Sequence, residues 1–97
     1  MAFVQVMTYK TEHRAEMDAA LRRWLEDTED VRRARKRLLL RDRDAVDCYM
    51  EVVFFDSYED ALHNSWLPAT TMLSKEFERL TVDGFQFRDF DVVADEL

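Results

Sequence analysis

Apolar and polar residues alternate along four segments of this chain, and two longer stretches between them follow a helical period instead. Ala2 to Tyr9 reads as a strand, with Phe3, Gln5, Met7 and Tyr9 pointing one way and Val4, Val6 and Thr8 the other. From about His13 to Thr28, Met17, Ala20, Leu21, Trp24 and Leu25 form one apolar stripe of a helix, while Asp18, Arg22 and Glu26 suit its solvated face. Arg35 to Arg43 reads as a second strand, with a turn expected at Asp44 to Asp47. Cys48 to Phe55 is the clearest strand, with Cys48, Met50, Val52 and Phe54 on one face and Tyr49, Glu51, Val53 and Phe55 on the other. Ser57 to Asp60 fits a capping box, with Asp60 as a shorter stand-in for Glu. The helix it opens places Tyr58, Ala61, Leu62, Ser65 and Trp66 on one stripe. Pro68 breaks that helix and starts another, whose Ala69, Met72, Leu73, Phe77 and Leu80 point inward, and Phe85 to Val93 is the last strand.

The order βαββαβ is the split βαβ, ferredoxin-like arrangement: an α+β fold with a four-stranded antiparallel sheet and the helices on one face. Residues 1–97 form one domain. The basic second strand belongs at a sheet edge, where charge discourages further pairing. The first, third and fourth strands carry large apolar side chains on both faces, and the helices cover only one. Leaving about five such side chains wet forgoes ~1.5–3 kcal/mol each. That rivals the ~5–15 kcal/mol stability of a whole domain. The expectation is a homodimer whose open sheet faces pack together, with the helices outside.

Composition narrows the function classes. The chain has 47% hydrophobic and 36% charged residues, with one Gly and one Pro, which excludes disorder and an all-β sandwich. No apolar run approaches the ~20 residues of a membrane span, and Ala2 to Met7 lacks the flanks of a signal peptide. A single cysteine, Cys48, fits a reducing cytoplasm. A net charge of −7 argues against general nucleic-acid binding. The basic cluster Arg32, Arg33, Arg35, Lys36, Arg37, Arg41 and Arg43 reads as a charged edge, since no RNA-recognition motif accompanies it. The two histidines, His13 and His63, lie far apart, and one glycine cannot build a phosphate loop, so neither a metal nor a nucleotide cofactor is expected.

The stretch Tyr49-Met50-Glu51-Val52-Val53-Phe54-Phe55-Asp56-Ser57-Tyr58-Glu59-Asp60-Ala61, with Asn64-Ser65 and Leu67-Pro68 after it, resembles small bacterial proteins related to the antibiotic biosynthesis monooxygenases. That resemblance covers about residues 2 to 93. It implies a dimeric α/β barrel with a pocket between sheet and helices or inside the barrel. It also implies oxidation of polyphenolic or quinol-like molecules by dioxygen with no metal or flavin. A base or acceptor would favour the ionised substrate, an apolar pocket would hold it, and polar donors would stabilise the oxyanion. Haem degradation is disfavoured, because the first strand offers Gln5 where those relatives use Asn, and His63 precedes Trp66.

Each candidate also has a plainer reading. Glu51 interrupts an apolar strand and could act as a base if desolvated. The preferred alternative is a carboxylate satisfied by an Arg or by Gln5, since buried carboxylates are normally paired. A tight hairpin would set Leu40 opposite it. Arg88, between Phe87 and Phe90, is either a clamp for an anion or an outward charge. Asn64 and His63 fall off the helix stripe and read as solvated unless the Pro68 break redirects them, whereas Trp66 falls on it and reads as core. Tyr9 and Tyr49 sit at strand ends, where a hydroxyl reaches a pocket mouth. Catalytic roles are thus assigned to Glu51, Arg88 and Asn64, and substrate binding to Tyr49, Trp66, Tyr9 and His63. The function expected is a cofactor-independent monooxygenase acting on a small aromatic or polyketide-like molecule. The alternative is a non-catalytic ligand-binding or stress-associated dimer of the same fold.

Overall fold

The computed structural model describes residues 2–96. Its elements are β1 (Phe3–Lys10), α1 (Arg14–Asp27), β2 (Lys36–Arg41), β3 (Cys48–Phe55), α2 (Tyr58–Ser65), α3 (Pro68–Leu80) and β4 (Phe85–Asp91). All neighbours in the sheet are antiparallel, in the order β2-β3-β1-β4. The ferredoxin-like arrangement and the basic edge strand are as the patterning implies.

Register decides which side chains meet. Phe3 pairs with Phe55, Gln5 with Val53, Met7 with Glu51 and Tyr9 with Tyr49, so these share one face. The helices cover that face, and the core there falls into two clusters. Met7, Tyr9, Met17, Phe77 and Leu80 make one, and Phe3, Phe55 and Ala61 the other. Trp24 on α1 donates to Thr70 Oγ1 on α3 at 2.9 Å, which ties the two longer helices together. The opposite face carries Val4 and Val6 of β1, Leu38 and Leu40 of β2, Met50, Val52 and Phe54 of β3, and Phe90 of β4. No helix lies over it, and Leu38, Leu40, Met50 and Phe90 remain exposed.

Four local expectations change. The β2–β3 connection begins at Asp42, not Asp44, because Asp42 Oδ1 accepts from the backbone N–H of Asp44 and of Ala45, at 2.8 and 3.2 Å, and turns the chain early. The pairing shifts by one, so Leu39 rather than Leu40 lies opposite Glu51, and Leu40 moves to the open face. Ser57 caps α2 by accepting from the Asp60 N–H at 3.1 Å, but the Asp60 carboxylate accepts from Arg33 at 3.2 Å instead of completing a capping box.

The phase of α2 also differs. This eight-residue helix turns Ala61 and Asn64 inward, three positions apart. Asn64 is therefore buried at 7% exposure, and Trp66, at the C-terminal cap, is 74% exposed rather than core. Pro68 restarts the chain as the first turn of α3, with Leu67 extended as expected. The new helix buries Phe77 and Leu80 but leaves Met72 68% exposed, not inward.

Candidate functional site

Between the two core clusters the helices do not close on the sheet, and a cavity of about 260 Å³ remains. Its walls are mainly apolar, with Trp24 and Leu21 from α1, Leu73 and Phe77 from α3, and Phe55, Phe85 and Phe87 from the sheet. Gln5, Glu51, Asn64 and Thr70 bring polar groups to it. Arg32, Arg35, Lys36 and Arg37, from the end of the α1–β2 connection and from β2, supply its edge.

Glu51 is 2% exposed, and each of its carboxylate oxygens accepts one hydrogen bond within the chain. Tyr9 donates its hydroxyl to Oε2 at 2.7 Å, and Arg37 donates Nε–H to Oε1 at 2.5 Å. Arg37 reaches Glu51 diagonally, two residues before the Leu39 that lies directly opposite. Arg14, at the start of α1, donates to the Tyr9 hydroxyl at 2.6 Å and lies 4.9 Å from the centre of the Tyr49 ring. Burial pushes the Tyr9 phenol well above its ordinary range, and the neighbouring Glu51 charge adds to the effect, with Arg14 pulling the other way. The result is a continuous polar chain, Arg14–Tyr9–Glu51–Arg37, laid through an apolar layer. Each member is paired, as buried ionisable groups require.

Two polar atoms at the cavity are not paired. Among the described residues, Asn64 Oδ1 and Arg37 Nη2 are buried and have no hydrogen-bond partner. Leaving such a group unsatisfied costs about 1–3 kcal/mol. Folded chains avoid that cost unless something else supplies the partner.

The sequence-derived candidates separate in space. Glu51 and Asn64 line the cavity, and Tyr9 stands behind Glu51 with Tyr49 stacked on it at 5.9 Å. Tyr9 and Tyr49 also border a second, more open hollow of about 510 Å³ at one end of the sheet, with Arg41 and Gly84. Arg88 pairs with Val6 and therefore lies on the open face, away from the cavity. Trp66 stands outside the helix layer, and His63 is half-buried on α2 without lining the cavity. The sequence reading named neither Arg37 as the partner of Glu51 nor Trp24 and Thr70 as cavity walls. Trp24 was legible as an inward stripe residue, but nothing in its spacing distinguishes a cavity wall from packed core.

No family model and no curated protein matches the sequence. Solved structures do match the fold. SnoaB, a cofactor-independent oxygenase from Streptomyces nogalater, superposes with a TM-score of 0.79 at 14% identity over 97% of this chain and 95% of that one. An asparagine-to-alanine variant of the same protein reaches 0.81 at the same identity and coverage. A Caulobacter crescentus protein named for the antibiotic biosynthesis monooxygenases gives 0.80 at 12% identity, over 96% and 91% of the two chains. Rv0793 from Mycobacterium tuberculosis gives 0.78 at 10% identity, over 98% of each. With the sheet order, the three helices and the chamber between them, these likenesses establish that the chain has the fold of the antibiotic biosynthesis monooxygenase-like proteins.

Proposed function

We propose that this protein binds a small aromatic molecule in the cavity between sheet and helices and oxidises it with dioxygen, without a metal or organic cofactor. One observation carries the reading: an apolar chamber of about 260 Å³ walled by aromatic rings is lined by Asn64, whose buried Oδ1 has no hydrogen-bond partner among the described residues. A flat ring system would fill the apolar space, and its hydroxyl would donate the hydrogen bond that Asn64 Oδ1 lacks. The likeness to SnoaB, a cofactor-independent oxygenase, supports the same chemistry.

The reaction in this reading converts an activated methylene, held between aromatic rings, to a ketone. The methylene and its conjugated hydroxyl lose a proton, and the resulting anion is oxidised by dioxygen. One oxygen atom stays in the product carbonyl and the other leaves as water, so dioxygen takes up the four electrons. Asn64 Oδ1 accepts from the substrate hydroxyl, and the donor end of the same amide, Nδ2–H, stabilises the anionic oxygen. Glu51 lines the cavity, and each of its oxygens accepts only one hydrogen bond from the protein, so a lone pair remains to receive the proton. Arg88, Trp66 and His63 have no part in it.

Aerobic and anaerobic incubation with a panel of anthrone- and quinol-like compounds tests the proposal. The expected result is oxygen-dependent turnover of at least one compound, with kcat/KM lowered roughly 10- to 100-fold in Asn64→Ala. That range corresponds to one hydrogen bond to a charged group. No turnover across the panel overturns the oxygenase reading. A second reading, a ligand-binding protein without catalysis, is favoured by the engagement of Glu51 with Tyr9 and Arg37. It predicts binding of the same compounds with no oxygen uptake.

We also propose that two copies pack through the open sheet face. Val4, Val6, Leu38, Leu40, Met50, Val52, Phe54 and Phe90 give that face a broad apolar area, with Lys36 and Arg88 on its two edge strands, and among the described residues no helix covers it. Exposed apolar patches of this kind mark interaction surfaces. The partner this reading assigns is a second copy of the chain, whose own open face offers the same apolar area.

A further inference from the structure

We infer that the molecule this cavity takes carries a negative charge, an aromatic carboxylate received by Arg37 and Arg32 at the β2 edge. This deepens the reading above and rests on it. The chain has 21 acidic against 14 basic side chains, so a cavity lined without selection would be acidic. The lining instead holds four cations, Arg32, Arg35, Lys36 and Arg37, and one carboxylate, Glu51.

What matters is how much of that positive charge the protein already neutralises. Arg35 is paired with Asp56 at 2.6 Å and is largely solvated, so it contributes little. The Lys36 ammonium lies 5.6 Å from the Phe54 ring, which belongs to the open face. Arg32 is different. Its Nη1 donates to the Leu25 carbonyl at 2.8 Å and to Thr28 Oγ1 at 3.3 Å, and its guanidinium lies 5.7 Å from the centre of the Trp24 ring. All of these partners are uncharged, so the protein fixes the cation without cancelling it. Arg37 spends Nε–H on Glu51 and keeps Nη2 buried with no partner.

A guanidinium is a rigid fork, and a half-used one presents its remaining N–H groups in a fixed direction. A carboxylate answers both needs at once, accepting from Arg37 Nη2 and balancing the charge that Arg32 leaves open. A neutral ligand of the same shape satisfies at most the hydrogen bond. The aromatic walls, Phe55, Phe77, Phe85 and Phe87, then hold the ring system behind the charged group. Asn64 Oδ1 supplies a second polar contact, accepting from a hydroxyl on the same ligand.

Titration calorimetry of the full chain with 2-naphthoate and with 2-naphthamide, its uncharged isostere, tests this. Naphthoate should bind at least about tenfold more tightly at low salt, and the gap should narrow at high salt as the charges are screened. Arg32→Gln should weaken naphthoate binding and leave naphthamide unchanged. Because Arg37→Gln alone strands Glu51, the Arg37→Gln/Glu51→Gln pair, neutral at both positions, is the companion variant and should also abolish the preference. Equal affinity for the two probes, or tighter binding of the amide, overturns the charge assignment while leaving the aromatic cavity in place. Failure of both probes to bind overturns this inference and the ligand reading together.

Discussion

The two faces of the sheet solve opposite problems with the same strands. On the covered face, burial is complete enough that every ionisable group needs a partner, and Arg14, Tyr9, Glu51 and Arg37 form one connected chain. On the open face, the two central strands contribute Val4, Val6, Met50, Val52 and Phe54, and the charged residues Lys36 and Arg88 stand on the two edge strands. A surface meant for water would place polar groups at its centre. A surface meant to be dried by a partner places them at its rim. The contrast is the one that the proposed ligand and the proposed second copy would require of the two faces.

Val52→Asp strikes the centre of the open face, where Val52 lies between Val6 and Leu38. In a symmetric dimer the change buries two unpaired carboxylates, at a cost of several kcal/mol each. Sedimentation should then show the wild type as a dimer and the variant as an 11.6 kDa monomer at micromolar concentration. A wild type that already sediments at 11.6 kDa, or a variant that stays dimeric, removes the contrast between the faces.

Glu51→Leu tests the covered face. The substitution preserves bulk but leaves Arg37 without its carboxylate and Tyr9 without its acceptor. Breaking a buried pair from one side costs about 3–5 kcal/mol. Arg37 is part-exposed, its side chain 27% accessible, so the lower end applies, about 3 kcal/mol. In a domain of this length that lowers Tm by roughly 12–24 °C. The neutral pair Glu51→Leu/Arg37→Met should recover most of the loss, which a merely space-filling role for Glu51 does not predict.

How far the sequence foretells the two faces depends on what fixes each position. Strand alternation assigns every β3 residue to its correct face, because a period of two admits no other choice once one face is covered. Glu51 stands out for the same reason, as a carboxylate in an apolar run. Its partner is not readable, because Arg37 reaches Glu51 only through a register set by the Asp42 side chain at the turn. The inward Asn64 and outward Trp66 are equally hidden. In a helix of eight residues ending at a proline break, three or four apolar positions fix the phase poorly, and the packing of Ala61 beside Phe3 and Phe55 decides it. The cavity follows from that phase, so its polar wall could not be placed before the fold.

The smallest expected effect is also the most specific to the polar chain. Burial raises the Tyr9 phenol in the folded state well above the value near 10 of an exposed tyrosine, and Glu51 raises it further. Below pH 10 both folded and unfolded chains hold the proton, and the stabilisation is fully present. Above it the unfolded chain releases the proton while the folded chain keeps it, so stability falls as pH rises toward the folded value. One proton corresponds to a slope of at most about 1.4 kcal/mol per pH unit, and integrated from below pH 10 this makes Tyr9 alone account for at most about 1.4 kcal/mol lost by pH 11. The difference between wild type and Tyr9→Phe in urea unfolding from pH 8 to 11 isolates the contribution. The phenylalanine variant should start lower, having lost the hydrogen bond to Glu51, and decline less steeply. Parallel curves would mean that the Tyr9 hydroxyl reaches water in the folded protein, and the covered face would then resemble the open one in leaving its polar groups to solvent.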